Sequence, residues 1–486
     1  MSIASAINTT KSILSNTATQ TATVSTNTSN TNTEDYNRRT AITTTNPYSG
    51  ATTVKVERTE DAALLKQTLS AIADNSGQQA LLEGLVSLDA VMGGNESSAT
   101  PSQYLAALVE SLDTYATSPS DVTLAAAAVA AAGDVAKSLN QQTSAVQNLR
   151  VEADSQISST VDKLNQLLKD FEKVNDKVKE KTARGEDPND ALDTRESLVK
   201  QISEIIGVTS TVRDGNDMVL YTSGGITLFE TVPRAVTFEP RAAFDAETSG
   251  NAIYIDGVSL AAGKGSSTSA NGSLQSLLQL RDEVYPGYQK QLDEIARVTI
   301  NVFAELDATD SRIPGLFTVN GMNPDDLSLD PNDATIVPGL AGLITVNSNA
   351  QTDPTRLRNG NVNDDSVSPN TGNAAGFSDL LYNYLAGFEE TVSFDGEAGT
   401  TTNATLLAFS TDSVGWVQEY RSNASTAAES TSAMQMRAKE AYANATGVNL
   451  DEELILLLDI EQSYKAATKL LSTIDEMLAS LMQAAS

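Results

Sequence analysis

Cysteine and histidine are both missing from the 486 residues. No disulfide, thiolate nucleophile, Cys/His zinc site or Ser–His–Asp triad can be assembled from such a chain. An enzyme built on it would work with carboxylates, Lys, Tyr or a cofactor. Aromatics are scarce at 5%, with one tryptophan, Trp416. Deep cores of the kind a large α/β enzyme needs are short of anchors, whereas long helices and thin β domains are not. Cations are outnumbered, 32 Lys and Arg against 63 Asp and Glu, for a formal net charge of −31. A surface of that sign repels DNA, RNA and anionic lipid, which argues against a nucleic-acid partner. Long apolar runs are lacking too: the richest, Leu454 to Ile460, falls far short of the roughly 20 residues of a membrane span. The opening Met1 to Ile7 lacks the positive-then-apolar pattern of a cleaved signal peptide. Secretion would then need a route without one, and a cysteine-free chain suits passage through an export path.

What is present is mostly helical signal in a chain too long for one core. Residues 1–34 are rich in Ser, Thr and Asn, with a sparse stripe of Ile3, Ile7, Leu14 and Val24 at helical spacing. Thr and Asn form helix poorly, so this segment reads as a helix that needs a partner. Thr53 to Glu57 reads as a strand, and Ala62 to Val91 as a helix broken at Ser76-Gly77, with a loop at Gly93-Gly94-Asn95. Thr100-Pro101 and Ser118-Pro119 both look like capped helix starts. The second opens a long helix to about Thr182. Within it Ile157, Val161, Leu164, Leu168, Phe171 and Val178 recur at spacings of four and three, with Asn175 as a polar member. Such a seam packs lengthwise on another helix, and Asn189 to Ile206 is placed to turn back on it. Short β-rich runs separated by Gly turns fill 208–271. Helix returns over Ser273 to Leu306, with a kink or break expected at Pro286-Gly287, and again from Leu406 to Ala445. Residues 311–404 read as an irregular, acidic insertion.

The sharpest pattern lies at the C-terminus. Leu457, Tyr464, Leu471 and Leu478 are spaced by sevens, and Ile460, Ala467, Ile474 and Leu481 repeat that spacing three residues later. Both rows form an a/d seam that has to be covered. The cover is either a bundle within one subunit or assembly between subunits; periodicity alone leaves both open.

Several segments resemble the flagellar rod, hook and hook-associated axial protein family. Ser2 to Ile7, then Ser25 to Arg39 with its Asn/Thr run ahead of Tyr36, resemble the family's opening, with Thr and Ser where Asn and Ala are usual. Gly447 to Glu453 and Tyr464 to Lys469 look like its C-terminal signature. Leu192-Asp193-Thr194-Arg195-Glu196-Ser197-Leu198 and Gly272 to Val284, with Leu292 to Ala296, narrow the likeness to the hook-associated branch at the junction of hook and filament. The resemblance implies a structural, non-enzymatic protein on the outside of a bacterial cell, exported through the flagellar type III apparatus. It implies a ring of identical subunits with the terminal helices innermost. Implied partners are the hook protein, the next junction protein toward the filament and a cytoplasmic export chaperone, with no nucleic acid and no membrane insertion.

The expected fold class is mainly α with β insertions. The expected domains are a terminal axial domain of 1–34 and 447–486, and a helical rod of 35–207, 272–310 and 405–446. A small β domain of 208–271 and an outer insertion of 311–404 complete the chain. Ile3, Ile7, Leu14, Val24, Leu457, Ile460, Tyr464, Ala467, Leu471, Ile474, Leu478 and Leu481 are the candidate assembly residues. Flagellin, the third hook-associated protein and a coiled-coil adhesin are the alternatives. Asp325-Asp326 and Asp364-Asp365 are better read as solvated loop acids than as a catalytic pair, and Asn361 to Asp365 lacks an EF-hand loop. Gly224-Gly225 and Gly263-Lys264-Gly265-Ser266 lack phosphate-loop spacing and read as turns. No metal or cofactor site is expected.

Overall fold

A computed structural model describes residues 3–33, 35–45, 52–93, 100–323, 327–330, 333–363 and 367–485. Along the chain, α1 (Ile3–Ser29) leads into a hairpin of β1 (Arg39–Thr45) and β2 (Thr52–Arg58), paired from Arg39↔Arg58 to Thr45↔Thr52. Helices α2 (Ala62–Val91), α3 (Pro101–Thr117), α4 (Val122–Arg184) and α5 (Asn189–Ile205) follow. The strands β3 (Val208–Val212), β4 (Met218–Thr222) and β5 (Thr227–Phe229) form one antiparallel sheet. β6 (Val236–Thr237), β7 (Tyr254–Ile255) and β8 (Val258–Ser259) form another. After α6 (Ser273–Gln279) and α7 (Tyr285–Val302) come the two-residue strands β9 (Glu305–Leu306) and β10 (Arg312–Ile313), and then β11 (Phe317–Val319). Short α8 (Leu340–Leu343), β12 (Ile344–Val346), α9 (Ser348–Thr352), α10 (Arg356–Asn359) and α11 (Asp379–Glu389) lead to β13 (Val392–Ser393) and β14 (Asn403–Ala404). Two long helices, α12 (Leu406–Thr446) and α13 (Leu450–Ala485), close the chain. The fold is mainly α with small β additions, as the sequence predicts.

Two compact units divide the chain. The first comprises Met1–Asn75, Lys163–Ala235 and Thr431–Ser486. In it the end of α4 and α5 form the antiparallel pair expected from the seam, with Val178, Ala191 and Leu192 buried together. Phe171 meets Phe229 of β5 edge-on, ring centroids 5.0 Å apart. Asn175, fully buried, holds the β3–β4 turn: its Oδ1 accepts from Met218 N (3.1 Å) and Arg195 Nη1 (2.9 Å), and its Nδ2 donates to Asp217.

The second unit comprises Ser76–Asp162 and Val236–Ser430. Its centre holds charge as well as apolar surface. Arg281 donates to Asp154 (2.5 Å), with both side chains buried, and Arg297 clasps Glu294 (2.7 Å). Buried charges of this kind persist because each is paired and hydrogen-bonded. Phe303 gathers Phe317, Tyr384 and Phe388 around it.

Four expectations differ from what is found. α2 runs through Gly77 without a break; a Cβ there would lie 2.9 Å from the Ala270 carbonyl oxygen, so the glycine serves close approach, not a turn. Pro286 does not break its helix either. A π-helical turn over Leu280–Val284 joins α6 to α7, and the extra residue relieves the contact between the proline ring and the preceding turn. The cap of α4 is Asp121, whose Oδ1 accepts from Thr123 N (2.7 Å), and not Ser118. The Ala-rich start of α4 contains an 18-residue stretch apolar enough to pass for a membrane span, against the expectation of none. Its Ala125, Ala128, Ala132, Val135 and Leu139 are buried as in an ordinary core helix. The loop at Gly94-Asn95 and the acids at 325–326 and 364–365 lie outside the described residues.

Candidate assembly site at the paired chain ends

α1 is built from residues that favour other conformations, and its hydroxyls explain how it stands. Thr10, Thr17, Thr23 and Thr28 each donate to the carbonyl four residues back, at 2.8–3.0 Å. Turned inward on their own helix, the hydroxyls need no other partner and leave the methyls free to pack. Thr10, Thr17 and Val24, spaced by sevens, are buried, as are Asn27 and Thr23. On α13 the buried positions are Glu453, Ile460, Ala467 and Ile474, again by sevens. α1 and α13 pack extensively on each other. The end of α1 lies beside the start of α13, since Arg38 N donates to Thr446 O (2.7 Å) just ahead of that helix, so the two run antiparallel.

A polar cluster locks this junction. Asn27 is used fully: its Nδ2 donates to Arg39 O (2.8 Å), while its Oδ1 accepts from Arg39 N (3.0 Å) and Tyr36 Oη (2.7 Å). Arg38 reaches Glu453 (2.7 Å) and Glu452 (2.8 Å) at the acidic first turn of α13. Arg39 reaches Asp190 (2.5 Å) and Asp193 (3.1 Å) on α5. Arg58, from β2, donates to Asp193 (2.6 Å) and also to Glu196. Glu196 takes a further ion pair from Lys200 (3.0 Å) and a hydrogen bond from Tyr442 Oη (2.8 Å), whose oxygen accepts from Asn37 Nδ2 (2.9 Å). One carboxylate on α5 thus holds the hairpin, the segment after α1 and the end of α12.

The electrostatics follow from that wiring. Burial pushes the Glu196 carboxyl up, but Arg58 and Lys200 outweigh it and hold the group below its ordinary value. Burial likewise works against the charged form of Lys200, and Glu196 and Asp35 raise it regardless. Burial lifts the Tyr36 hydroxyl to about 12, so it stays a donor to Asn27 at any ordinary pH. The cluster is structural chemistry, with a cation on every acid in it.

The structure separates the predicted assembly residues into two sets. Ile460, Ala467, Ile474 and Val24 are covered by the α1–α13 pairing, while Ile7 and Leu14 are half-buried. The side chain of Ile3 lies outside the described residues. The row led by Leu457 is not covered, and neither is Leu481, the last member of the Ile460 row. Leu457, Tyr464, Leu478 and Leu481 are exposed (38, 52, 36 and 54%), and Leu471 is half-buried. One helix can cover one row of a two-row seam, and α1, with threonines at its contact positions, is narrow. Leu454, Ile455, Leu458, Leu470, Met477 and Met482 widen the bare face. The residues that sequence reasoning passed over are Thr10, Thr17 and Glu453. Their seven-residue spacing to Val24 and Ile460 was the available signal, and their polarity hid it.

Residues 85–315 match the family described as "Flagellar hook-associated protein FlgK helical domain". Residues 439–484, which contain nearly all of α13, match "Flagellar basal body rod FlgEFG protein C-terminal". The middle of the chain is thus similar to the helical domain of flagellar hook-associated proteins, and its end to the C-terminal region of flagellar rod proteins. The family is part of the extracellular flagellum. Among its relatives, Flagellar hook-associated protein 1 of Escherichia coli (strain K12) is 27% identical over 256 residues, 51% of this chain and 45% of the relative. The protein of the same name from Salmonella typhimurium is 28% identical over 255 residues, with the same coverage. The matched part thus spans less than half the length of these relatives. The solved flagellar hook junction protein FlgK from Burkholderia pseudomallei is 22% identical, with a TM-score of 0.42 over 52% of this chain and 47% of that one. Leu192–Leu198, inside the first matched region, meets Tyr36–Arg39, outside both, in the polar cluster, where Asp193 receives Arg39 and Arg58.

Proposed function

We propose that this chain is a structural subunit that joins hook to filament by self-assembly through its terminal helices, and that it has no catalytic activity. The uncovered face of α13 carries the reading. Outside a membrane, a helix leaving Leu454, Ile455, Leu458, Leu470, Leu481 and Met482 bare is unusual, because contiguous apolar surface of that extent marks an interaction site. A contact repeated by rotation and rise gives a ring or helix in place of a closed dimer. The assembly surface is therefore the row Leu457, Tyr464, Leu471 and Leu478, with Leu481 and the face around it. Ile460, Ala467 and Ile474, with Ile7, Leu14 and Val24 on α1, hold the two helices together beneath it. Each ring would meet the hook protein on one side and the next junction protein on the other. Before export a cytoplasmic chaperone would cover the same C-terminal region, and the subunit would leave through the flagellar type III path without a cleaved signal.

Both chain ends are proposed to order fully only at the growing tip, since a threonine-built helix buries little surface to offset its ordering entropy. Electron microscopy of a strain lacking the gene tests the role. Hooks without filaments, with filament protein shed into the medium, support it; normal filaments refute it.

A further inference from the structure

The first unit contains a cleft that the assembly reading does not use. It measures about 550 Å³ and lies between the start of α2, the middle of α5 and strand β3. Leu65, Leu69, Leu192 and Val199 give it apolar walls. β3 is an edge strand, and its ladder fixes which of its groups face out. Ser223 N donates to Gly207 O (2.8 Å), and Arg213 N donates to Asp217 O (2.7 Å). Both pairs belong to the register Val208↔Thr222 to Val212↔Met218. In an antiparallel ladder bonded pairs alternate, so the odd residues Thr209 and Thr211 bond to β4. The even residues Ser210 and Val212 turn their N–H and C=O away from it.

The sheet's other edge is closed, since Phe229 bridges to Pro233 and Arg234 N donates to Leu228 O (2.8 Å). β3 has none of the usual edge protection: its sequence is Val-Thr-Ser-Thr-Val, with no charge, proline or bulge. Beside it sits Arg195, 4% exposed and lining the cleft. Its Nη1 donates to Asn175 Oδ1 and Asn216 O (2.5 Å), both uncharged acceptors. Among the described residues no carboxylate pairs with it, and no hydrogen bond accounts for its Nε or Nη2. Burial pushes its pKa down to about 10, against the upward pull of Glu60, Asp217 and Glu196 nearby. The neighbouring acids are engaged elsewhere: Glu196 in the polar cluster, Glu60 with Arg58, Asp217 with Asn175 and Lys179, and Asp61 capping α2.

We propose that this cleft docks an extended acidic segment of a partner protein, which adds as a strand to β3 and sets an Asp or Glu side chain on Arg195. Backbone pairing with Ser210 and Val212 supplies affinity, and the apolar walls and the buried guanidinium supply selectivity. The occupant is a partner segment carrying a carboxylate, because the buried Arg195 guanidinium bonds only to uncharged acceptors and calls for an opposite charge.

Fluorescence anisotropy with the labelled peptide TVEVTV, titrated against the full-length protein, tests the proposal. Saturable binding is expected, at least tenfold weaker for the peptide with Gln in place of Glu. Ser210→Pro should weaken it at least tenfold, because proline there removes an outward N–H and spares the β4 ladder. A peptide N-methylated at alternate residues asks the same question of the unaltered protein and should also fail to bind. Absence of binding, equal binding by Ser210→Pro and by the N-methylated peptide, or indifference to Glu against Gln overturns the proposal. Full competition by acetate reduces the site to a carboxylate pocket and also overturns it. Self-association of the protein alone that Ser210→Pro abolishes assigns the edge to a second copy and does the same. None of these outcomes depends on whether the chain joins hook to filament.

Discussion

Replacing Glu196 by Gln keeps the shape of the side chain and removes its charge, which isolates the electrostatic part of the polar cluster. Glu196 and Arg58 are each 5% exposed at the side chain, so solvent screens their attraction little. Breaking a buried pair outright costs 3–5 kcal/mol, because the partner is left charged and alone. Arg58 would not be left alone, since Asp193 and Glu60 lie at 2.6 and 2.9 Å, and Lys200 keeps Asp35 at 3.0 Å. The expected loss is therefore smaller, about 2 kcal/mol, or roughly thirty-fold in amide exchange protection of β2 and α5. Hydrogen exchange read by mass spectrometry resolves those segments without assuming two-state unfolding of a two-unit chain. Arg58→Met alone and combined with Glu196→Gln completes the cycle, and the double variant should lose less than the sum, since the shared pair is removed once. Protection changed less than threefold by Glu196→Gln, or strict additivity in the cycle, would refute the claim that this carboxylate ties the segments together.

Four further outcomes are expected. Asn27→Ala strands three polar partners at a buried site and should cost about 3 kcal/mol locally, read as faster exchange at Arg39 to Ile42 with α5 unchanged. Asp293, buried between Gly339 N and Ala341 N, has its pKa raised from 3.8 to about 7 by burial, so the folded state holds a proton that the unfolded state has released. Stability of the second unit should fall as pH rises from 5 to 7, by about 2 kcal/mol. Trp416 belongs to that unit and reports its melting, and Asp293→Asn should flatten the slope. Glu196 behaves oppositely in the first unit: its folded pKa is depressed, so its contribution is present above its ordinary 4.5 and is lost as pH falls further. Gly77→Ala sets a Cβ 2.9 Å from Ala270 O and 3.3 Å from Gly272 O. Despite alanine's better helix propensity, it should lower the Trp416-reported stability by about 1–2 kcal/mol.

Period was the most legible property of the sequence. The α4 seam from Ile157 to Val178 and the row Ile460, Ala467, Ile474 are buried as their spacing requires. Punctuation was less legible, because Gly and Pro have more than one use. Gly77 and Pro286 look like breaks in a one-dimensional reading. Only the Ala270 carbonyl and the π turn at Leu280–Val284 show why the helices run through them. Polar members of seams were invisible for a related reason. Thr10, Thr17 and Glu453 count as surface on any hydropathy scale, yet back-bonded hydroxyls and the Arg38 pair let them sit inside. The cluster around Glu196 joins residues 37, 58, 196, 200 and 442, a separation that no local pattern spans. Its pieces were visible only as family segments, without their pairing.

The absence of native cysteine makes the central claim directly measurable. Single cysteines introduced at Leu458, Leu470 or Met482, on the bare face of α13, can be oxidised in isolated flagella and read on a non-reducing gel. The account predicts a ladder of cross-linked subunits from these positions and none from a cysteine at Tyr382, an exposed site of the second unit. Subunits that incorporate normally yet give no ladder from any α13 position would contradict it.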